Sequence, residues 1–143
     1  MKSFLLNGKR PIIRWGNLPD NTFFEGKVPE GYSLAVTPSE GYVVIDVDRH
    51  GSEDGFKNIP WNIKQELDKS LHYNTKNKGA HYWLKYPGNK PLGNKTSGLS
   101  IDLRTHKGYV VWYPQQDVRY CISAVKESSK TMNRWLEELF SYV

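Results

Sequence analysis

The sequence predicts a single domain of the α+β class, and three observations support this prediction. The chain has 143 residues, of which 38% are hydrophobic and 13% aromatic, enough for one packed core. Short apolar runs typical of β-strands recur along it, several with two-residue alternation. Two other segments carry the i, i+4 spacing of amphipathic helices. We expect one domain over residues 1–143, with a C-terminal helical segment at about 124–143.

In the N-terminal half, turn residues separate the predicted elements. The run Pro38-Ser39-Glu40-Gly41 is a typical turn between two strands. After Pro60, which can start a helix, Ile63, Leu67 and Leu71 fall on one helical face. The predicted elements are, in order, a basic loop at 8–16, an irregular segment at 17–31, strands at 32–36 and 42–48, a loop at 49–58 and a helix from Pro60.

In the C-terminal half, the run Thr105-His106-Lys107-Gly108 predicts a tight turn, so the strands on either side of it are expected to form a hairpin. The predicted elements are a turn at 74–79, a strand at 80–86, a polar loop at 87–98, strands at 99–104 and 109–113, and a helix from Ser128. The apolar stripe of that helix consists of Met132, Trp135, Leu136, Leu139 and Phe140.

The composition also excludes several classes of protein. No apolar run approaches the roughly 18 residues of a membrane span. The apolar start is interrupted at Asn7-Gly8-Lys9-Arg10, too early for the core of a signal peptide. The single cysteine, Cys121, excludes an internal disulfide and a cysteine-rich zinc site. We therefore expect a cytoplasmic protein without a membrane partner.

Basic residues are concentrated in the second half of the chain. Residues 1–72 contain nine basic and ten acidic side chains, whereas residues 73–143 contain eleven basic and five acidic ones. Seven aromatic side chains lie among the cations between Tyr73 and Tyr113. Cations interleaved with rings are typical of surfaces that bind single-stranded nucleic acid. A lysine-rich solvated surface over an aromatic core explains the pattern equally well.

The run Asp46-Val47-Asp48 ends a predicted strand. Residues i and i+2 of a strand point to the same side, so the two carboxylates emerge together while Ile45 and Val47 face the core. Such a pair favours a divalent cation such as Mg²⁺ or Mn²⁺. A turn in which Asp48 simply ends the strand is an equally good interpretation.

Asp102 is a third carboxylate on a predicted strand, where it shares a face with Arg104. Alone, this pair would be a surface ion pair of little energetic value. Together with Asp46 and Asp48, Asp102 would complete the carboxylate set of two-metal nucleotidyl transfer. His81 shares a strand face with Trp83, and by itself a strand histidine is more often structural than functional.

Taken in order, these segments resemble the archaeo-eukaryotic primase superfamily, especially the primase–polymerase domain of phage and plasmid replication proteins. The resemblance covers about residues 8–120. The segments that carry it are Gly8-Lys9-Arg10-Pro11 with Trp15, Val43-Val44-Ile45-Asp46-Val47-Asp48, Gly79-Ala80-His81, and Ser100-Ile101-Asp102 followed by Arg104, Gly108 and an apolar strand that ends near Pro114.

The resemblance implies a catalytic core with an RRM-like, largely antiparallel sheet and flanking helices. It implies that Asp46, Asp48 and Asp102 bind catalytic Mg²⁺ or Mn²⁺. It further implies that His81 is a catalytic residue that contacts the phosphates of the incoming nucleotide. Lys78 and Arg104 are implied to be further nucleotide-phosphate contacts.

The function expected from the resemblance is that of a DNA primase/polymerase, a template-dependent nucleotidyltransferase. Its partners would be a single-stranded DNA template, nucleoside triphosphates and a replicative helicase. The alternative is a catalytically inactive replication accessory protein that keeps the fold and binds single-stranded nucleic acid. The two differ at the carboxylates, because only the enzyme requires all three to converge on metal.

Overall fold

The computed structural model describes residues 1–88 and 92–140, and within these ranges it has the predicted α+β architecture. The strands are β1 (Lys2–Asn7), β2 (Arg10–Pro11), β3 (Tyr32–Thr37), β4 (Tyr42–Val47), β5 (Arg49–His50), β6 (Glu53–Asp54), β7 (His72–Asn74), β8 (Ala80–Lys85), β9 (Lys95–Thr96), β10 (Ile101–Arg104), β11 (Val110–Trp112) and β12 (Lys126–Glu127). The helices are α1 (Trp61–Leu67), α2 (Val118–Cys121) and α3 (Lys130–Phe140).

The strands form two main sheets, both largely antiparallel. The larger sheet has the order β12-β8-β4-β10-β9, and β7 pairs with β8 on the same side as β12. The smaller sheet has the order β11-β3-β1-β2. Among the described strands, β12–β8 is the one parallel pair, and β5 and β6 form a separate hairpin. Strand β4 thus lies in the middle of the larger sheet.

The hydrophobic core is divided by these sheets. One face of the larger sheet packs against α1 and α3, with Ile45, Leu103 and Leu136 among the buried residues. Its other face packs against the smaller sheet and α2 through residues that include Val44 and Trp83. A smaller cluster covers the outer face of the smaller sheet. The side chains next to Val44 and Trp83 on this second face, those of Asp46 and His81, therefore lie at the boundary between the two sheets.

Helix α1 follows Pro60, as predicted, and buries Ile63 and Leu67. It ends at Leu67, so the prediction that Leu71 continues its apolar face is wrong. The chain turns after α1 to lead into β7, and Leu71 packs in the cluster between the sheets. The carbonyl of Leu71 accepts a hydrogen bond from the Trp83 N–H at 2.9 Å.

Helix α3 buries three members of the predicted stripe, and its first turn is bonded to α1. The Ser129 Oγ accepts a hydrogen bond from the Met132 N–H at 3.1 Å, which caps the helix. The Glu66 carboxylate of α1 accepts a bond from the Ser129 N–H at 2.9 Å. These contacts hold the two helices together on one face of the sheet.

The predicted hairpin of β10 and β11 is wrong. Strand β10 pairs with β4 and β9 in the larger sheet, whereas β11 pairs with β3 in the smaller one. The turn itself is present, since the Gly108 N–H donates to the Thr105 carbonyl at 3.0 Å. The strands separate because Val110 and Trp112 fill the core between the sheets, while the apolar side chains of β10 face α1 and α3.

Several elements lie outside the predicted ones. Strands β1, β7 and the β5–β6 hairpin fall where no strand was expected, β2 lies within the predicted loop at 8–16, and β9 lies within the predicted loop at 87–98. Residues 89–91 of that loop are outside the described residues, as are residues 141–143 of the predicted helical segment. In the rest of that segment, β12 precedes α3. The longest helix of the described residues, α3, has 11 residues, so none of the described helices could span a membrane.

Gly79 lies where the turn before β8 approaches the end of β4. A Cβ added to Gly79 would overlap the backbone carbonyl oxygen of Val47 and lie 2.9 Å from the Thr75 Oγ1. An added Cβ at Gly16, in contrast, meets no described atom within 4 Å. The small residue two positions before His81 therefore allows β8 to begin directly beside β4.

We expect Gly79→Ala to lower the free energy of unfolding by about 1–3 kcal/mol, because the Val47 carbonyl belongs to a paired strand and cannot move aside without cost. Denaturant unfolding measures this change. The control Gly16→Ala should change the same quantity by about 0.5 kcal/mol or less. Equal effects of the two substitutions would contradict this interpretation of Gly79.

Candidate active site

Five polar side chains form a row across the larger sheet. The directly opposite pairs are Tyr73 with His81, His81 with Asp46, Asp46 with Asp102, and Asp102 with Thr96. Opposite residues of paired strands project from the same face, with Cβ atoms about 4.5–5.5 Å apart. We call these five residues the polar row, and it lies on the face that is turned away from α1 and α3.

The three predicted metal ligands come together at this row, as an acidic cluster of Asp46, Asp48 and Asp102. One carboxylate oxygen of each lies within 4.8 Å of the other two. The Asp48 N–H donates to the Ser100 carbonyl at 2.9 Å, and the Asp48 carbonyl accepts from the Gly55 N–H at 2.8 Å. These bonds fix the backbone of Asp48 beside β10, although it follows the last residue of β4.

The electrostatics of the acidic cluster are unfavourable without a cation. Burial raises the pKa of Asp48 above its usual value, and the charges of Asp46 and Asp102 raise it further, while His50 opposes them. Burial also raises the pKa of Asp102, an effect that the nearby guanidinium of Arg104 partly offsets. The Arg104 Nη2 lies 3.4 Å from the Asp102 Oδ2. The cluster therefore favours the uptake of positive charge.

The imidazole of His81 lies between the Asp46 carboxylate and the Tyr73 hydroxyl. Its Nε2 lies 3.4 Å from the Asp46 Oδ1, and its Nδ1 lies 3.2 Å from the Tyr73 hydroxyl. The side chain is 7% exposed. Its ring lies edge-on to that of Tyr73 and is tilted towards that of Tyr113. One nitrogen of the imidazole thus faces the Asp46 carboxylate and the other faces the Tyr73 hydroxyl.

A cleft of about 610 Å³ opens beside the acidic cluster and is lined by residues of both sheets. Asp46, Asp48 and His81 line it, whereas Asp102 reaches the cluster from the neighbouring strand without lining the cleft itself. The volume is typical of small-molecule sites. The cations that line the cleft are Lys9, Arg49, Lys76, Arg104 and Lys107, and the aromatic residues are Trp15, Tyr109 and Tyr113.

The two predicted phosphate contacts lie in different places. Arg104 lines the cleft, next to the acidic cluster. Lys78 lines a neighbouring groove with Lys64 and Tyr82 and is not among the residues of the cleft. The structure therefore brings together five of the six predicted site residues and places Lys78 in the neighbouring groove.

Some residues around the site were not predicted as site residues, including Tyr73 of the polar row and, in the cleft, Tyr113 and Lys107. Their one signal in the sequence is the interleaving of cations and rings after Tyr73. That pattern does not reveal which of many similar side chains face the carboxylates. Their positions depend on the register of β7 and on the separation of β10 from β11.

The acidic cluster fits a hard divalent cation. Mg²⁺ and Mn²⁺ prefer oxygen ligands, and protein carboxylates bind Mg²⁺ at about 2.0–2.1 Å. Carboxylate oxygens that lie within 4.8 Å of one another are close enough to share such ions after small rotations of the side chains. Burial and the neighbouring carboxylates make the charged forms of Asp48 and Asp102 unfavourable, which raises the pKa of both groups. A bound cation would relieve the same unfavourable charge.

We expect Mg²⁺ or Mn²⁺ to raise the melting temperature, since a ligand at about 100 times its Kd stabilises the native state by about 2.7 kcal/mol. Asp48→Asn should abolish most of this increase, as measured by differential scanning fluorimetry. The exposed control Asp20→Asn should keep it. An equal metal effect in both variants would place the metal elsewhere.

The same variant tests the charge repulsion in the metal-free protein. Because the folded-state pKa of Asp48 is raised, its charged form destabilises the fold at neutral pH. Metal-free Asp48→Asn should therefore melt a few degrees higher than the wild type at pH 7. The difference should vanish as the pH falls below the ordinary carboxyl value of 3.8, where Asp48 is protonated in both states.

Comparison with models of protein families shows the family of the chain. A family model described as the N-terminal domain of bifunctional DNA primase/polymerase matches residues 8–137. Comparison with curated proteins gives no match. The matched range includes all the predicted site residues and the strands that carry the acidic cluster. The chain therefore belongs to the family of bifunctional DNA primase/polymerase N-terminal domains.

Proposed function

We propose that this domain is a template-dependent nucleotidyltransferase that makes or extends primers on single-stranded DNA, with Mg²⁺ or Mn²⁺ as cofactor. Its family membership supports a primase/polymerase activity with DNA and nucleotide substrates. The observation that carries the finer proposal is the convergence of Asp46, Asp48 and Asp102 beside His81, at a cleft lined by cations.

The proposed role of the acidic cluster is to hold the metal. Asp46 and Asp102 lie opposite each other on paired strands, and Asp48 is fixed by two backbone hydrogen bonds. Rigid strands are suited to this role, because the ligands must keep their relative positions within about half an ångström. When bound, divalent ions lower the pKa of an attacking 3′-hydroxyl and neutralise charge on the triphosphate.

The proposed role of His81 and the surrounding cations is to bind and orient the triphosphate. His81 presents Nε2 beside Asp46, at the edge of the metal ligands. Arg104 and Lys107 line the same cleft and supply charge that complements phosphate oxygens. Tyr113, which is 40% exposed, offers a flat face in the cleft on which a base can stack. Lys78 is proposed as a contact for phosphate in the neighbouring groove.

The inactive binding protein is the competing hypothesis, and the carboxylates argue against it. A surface that only binds DNA gains nothing from three partly buried carboxylates that repel both one another and phosphate. The replicative helicase stays a prediction from the resemblance, because the family match concerns the primase/polymerase domain alone.

We expect Asp46→Asn combined with Asp48→Asn to abolish nucleotide incorporation while leaving the affinity for single-stranded DNA unchanged or slightly higher. The amides remove metal ligands and also remove negative charge next to the DNA phosphates. Primer synthesis is measured with labelled nucleotides, a single-stranded template and either metal, and binding by fluorescence anisotropy.

The control Asp20→Asn removes an exposed carboxylate whose side chain is 77% accessible, and it should keep full activity. If the wild type incorporates nothing on varied templates with either metal, the binding hypothesis replaces the enzymatic one. If the double variant still polymerises, the acidic cluster is not the catalytic site.

A further inference from the structure

The hydroxyl of Tyr73 lies at the centre of a hydrogen-bonded group behind the acidic cluster. Three atoms surround its oxygen: the Trp83 Nε1 at 3.2 Å, the His81 Nδ1 at 3.2 Å and the Val111 carbonyl oxygen at 3.4 Å. The ring of Tyr73 also packs edge-on against His81 and Trp112. These contacts fix the hydroxyl relative to the imidazole.

The donors and acceptors in this group can be assigned. The indole N–H of Trp83 can only donate, so it occupies a lone pair of the Tyr73 oxygen. The single hydroxyl proton is then available to either His81 Nδ1 or the Val111 carbonyl. Burial raises the pKa of Tyr73 above its ordinary value, so the hydroxyl keeps this proton.

When the imidazole is neutral, its contact with Asp46 determines whether the Tyr73 hydroxyl donates to His81 Nδ1 or to the Val111 carbonyl. A carboxylate can only accept, and the Asp46 Oδ1 lies 3.4 Å from the His81 Nε2. A ring proton on Nδ1 would leave the Nε2 lone pair facing this carboxylate, which is repulsive. With the Tyr73 hydroxyl donating to Nδ1, the ring proton lies on Nε2 and both contacts of the imidazole pair a donor with an acceptor, while the more distant Val111 carbonyl receives no proton from Tyr73.

We propose that Tyr73 is a positioning residue that holds neutral His81 in the tautomer with its proton on Nε2. The donors then run in one direction, from Trp83 to Tyr73, from Tyr73 to His81, and from His81 towards Asp46.

The catalytic consequence rests on the proposed function. The Nε2–H lies beside Asp46 at the acidic cluster, where the triphosphate is proposed to bind, so an uncharged imidazole can donate this proton to a phosphate oxygen in place of the Asp46 carboxylate. In the other tautomer a lone pair would face that oxygen and repel it. Tyr73 thus makes His81 a donor without requiring the ring to be charged.

The tautomer is tested by long-range ¹H–¹⁵N correlation spectra of the histidine rings, recorded on the metal-free chain at a pH where the imidazole is neutral. The His81 signals are assigned by their absence from His81→Gln. We expect the wild type to show a proton on Nε2, and Tyr73→Phe to show a mixture of tautomers or the Nδ1-protonated form. The control Tyr120→Phe, at a side chain that is 70% exposed, should match the wild type.

Nucleotide kinetics provide a second readout. Tyr73→Phe should raise the KM for the nucleotide by about tenfold, the equivalent of one good hydrogen bond, with a much smaller change in kcat. Its melting temperature, measured alongside, shows whether the ring still packs. A KM and a tautomer that both match the wild type would overturn the proposal.

The spectra and the nucleotide kinetics test different claims, so a negative result in one does not prevent the other from being interpreted. A wild type that incorporates no nucleotide refutes the proposed function, while the spectra still test the tautomer. A wild-type His81 that carries its proton on Nδ1 refutes the role of Tyr73, even if the chain polymerises normally.

Discussion

The repulsion between carboxylates that face each other across β4 and β10 is the constraint on which this structure depends. Like charges directly opposite on paired strands are destabilising, and burial adds to the cost by raising the pKa of Asp48 and Asp102. The fold keeps them together because the reverse face of the same strands is apolar. Ile45 and Leu103 pack there against α1 and α3 and hold the register. A slip by one residue would move the carboxylates into that core, which makes the register strongly specified.

The smaller sheet and its turns contribute cations and aromatic side chains to the cleft. The larger sheet provides the acidic cluster and His81, whereas the smaller sheet and the turns around it contribute Lys9, Lys107 and aromatic side chains to the cleft. Negative charge is therefore concentrated on one strand pair, which also carries Arg104, and the other cations of the cleft lie on the surrounding segments. This distribution suits a ligand in which metal ions lie between carboxylates and a polyphosphate. Because β10 and β11 belong to different sheets, the turn between them carries Lys107 into the cleft.

Much of the fold and most of the candidate site could be predicted from the sequence, because local patterns determine them. The alternation around Asp46, Asp48 and Asp102 predicted which side chains share a face, and the α+β class followed from the same patterns. The partner of each strand could not be predicted. The turn before Gly108 is real, yet the strands on its two sides pair elsewhere because the core between the sheets requires Val110 and Trp112. The contact of Tyr73 with His81 likewise depends on pairing that a single sequence does not reveal.

The metal site is tested most directly by a crystal structure with Mn²⁺ and a non-hydrolysable nucleoside triphosphate, in which anomalous scattering locates the metal. We expect manganese bound to carboxylate oxygens of Asp46, Asp48 and Asp102, with the triphosphate within hydrogen-bonding distance of the His81 Nε2. Manganese bound elsewhere, or a nucleotide that occupies the cleft without metal at the acidic cluster, would contradict this expectation.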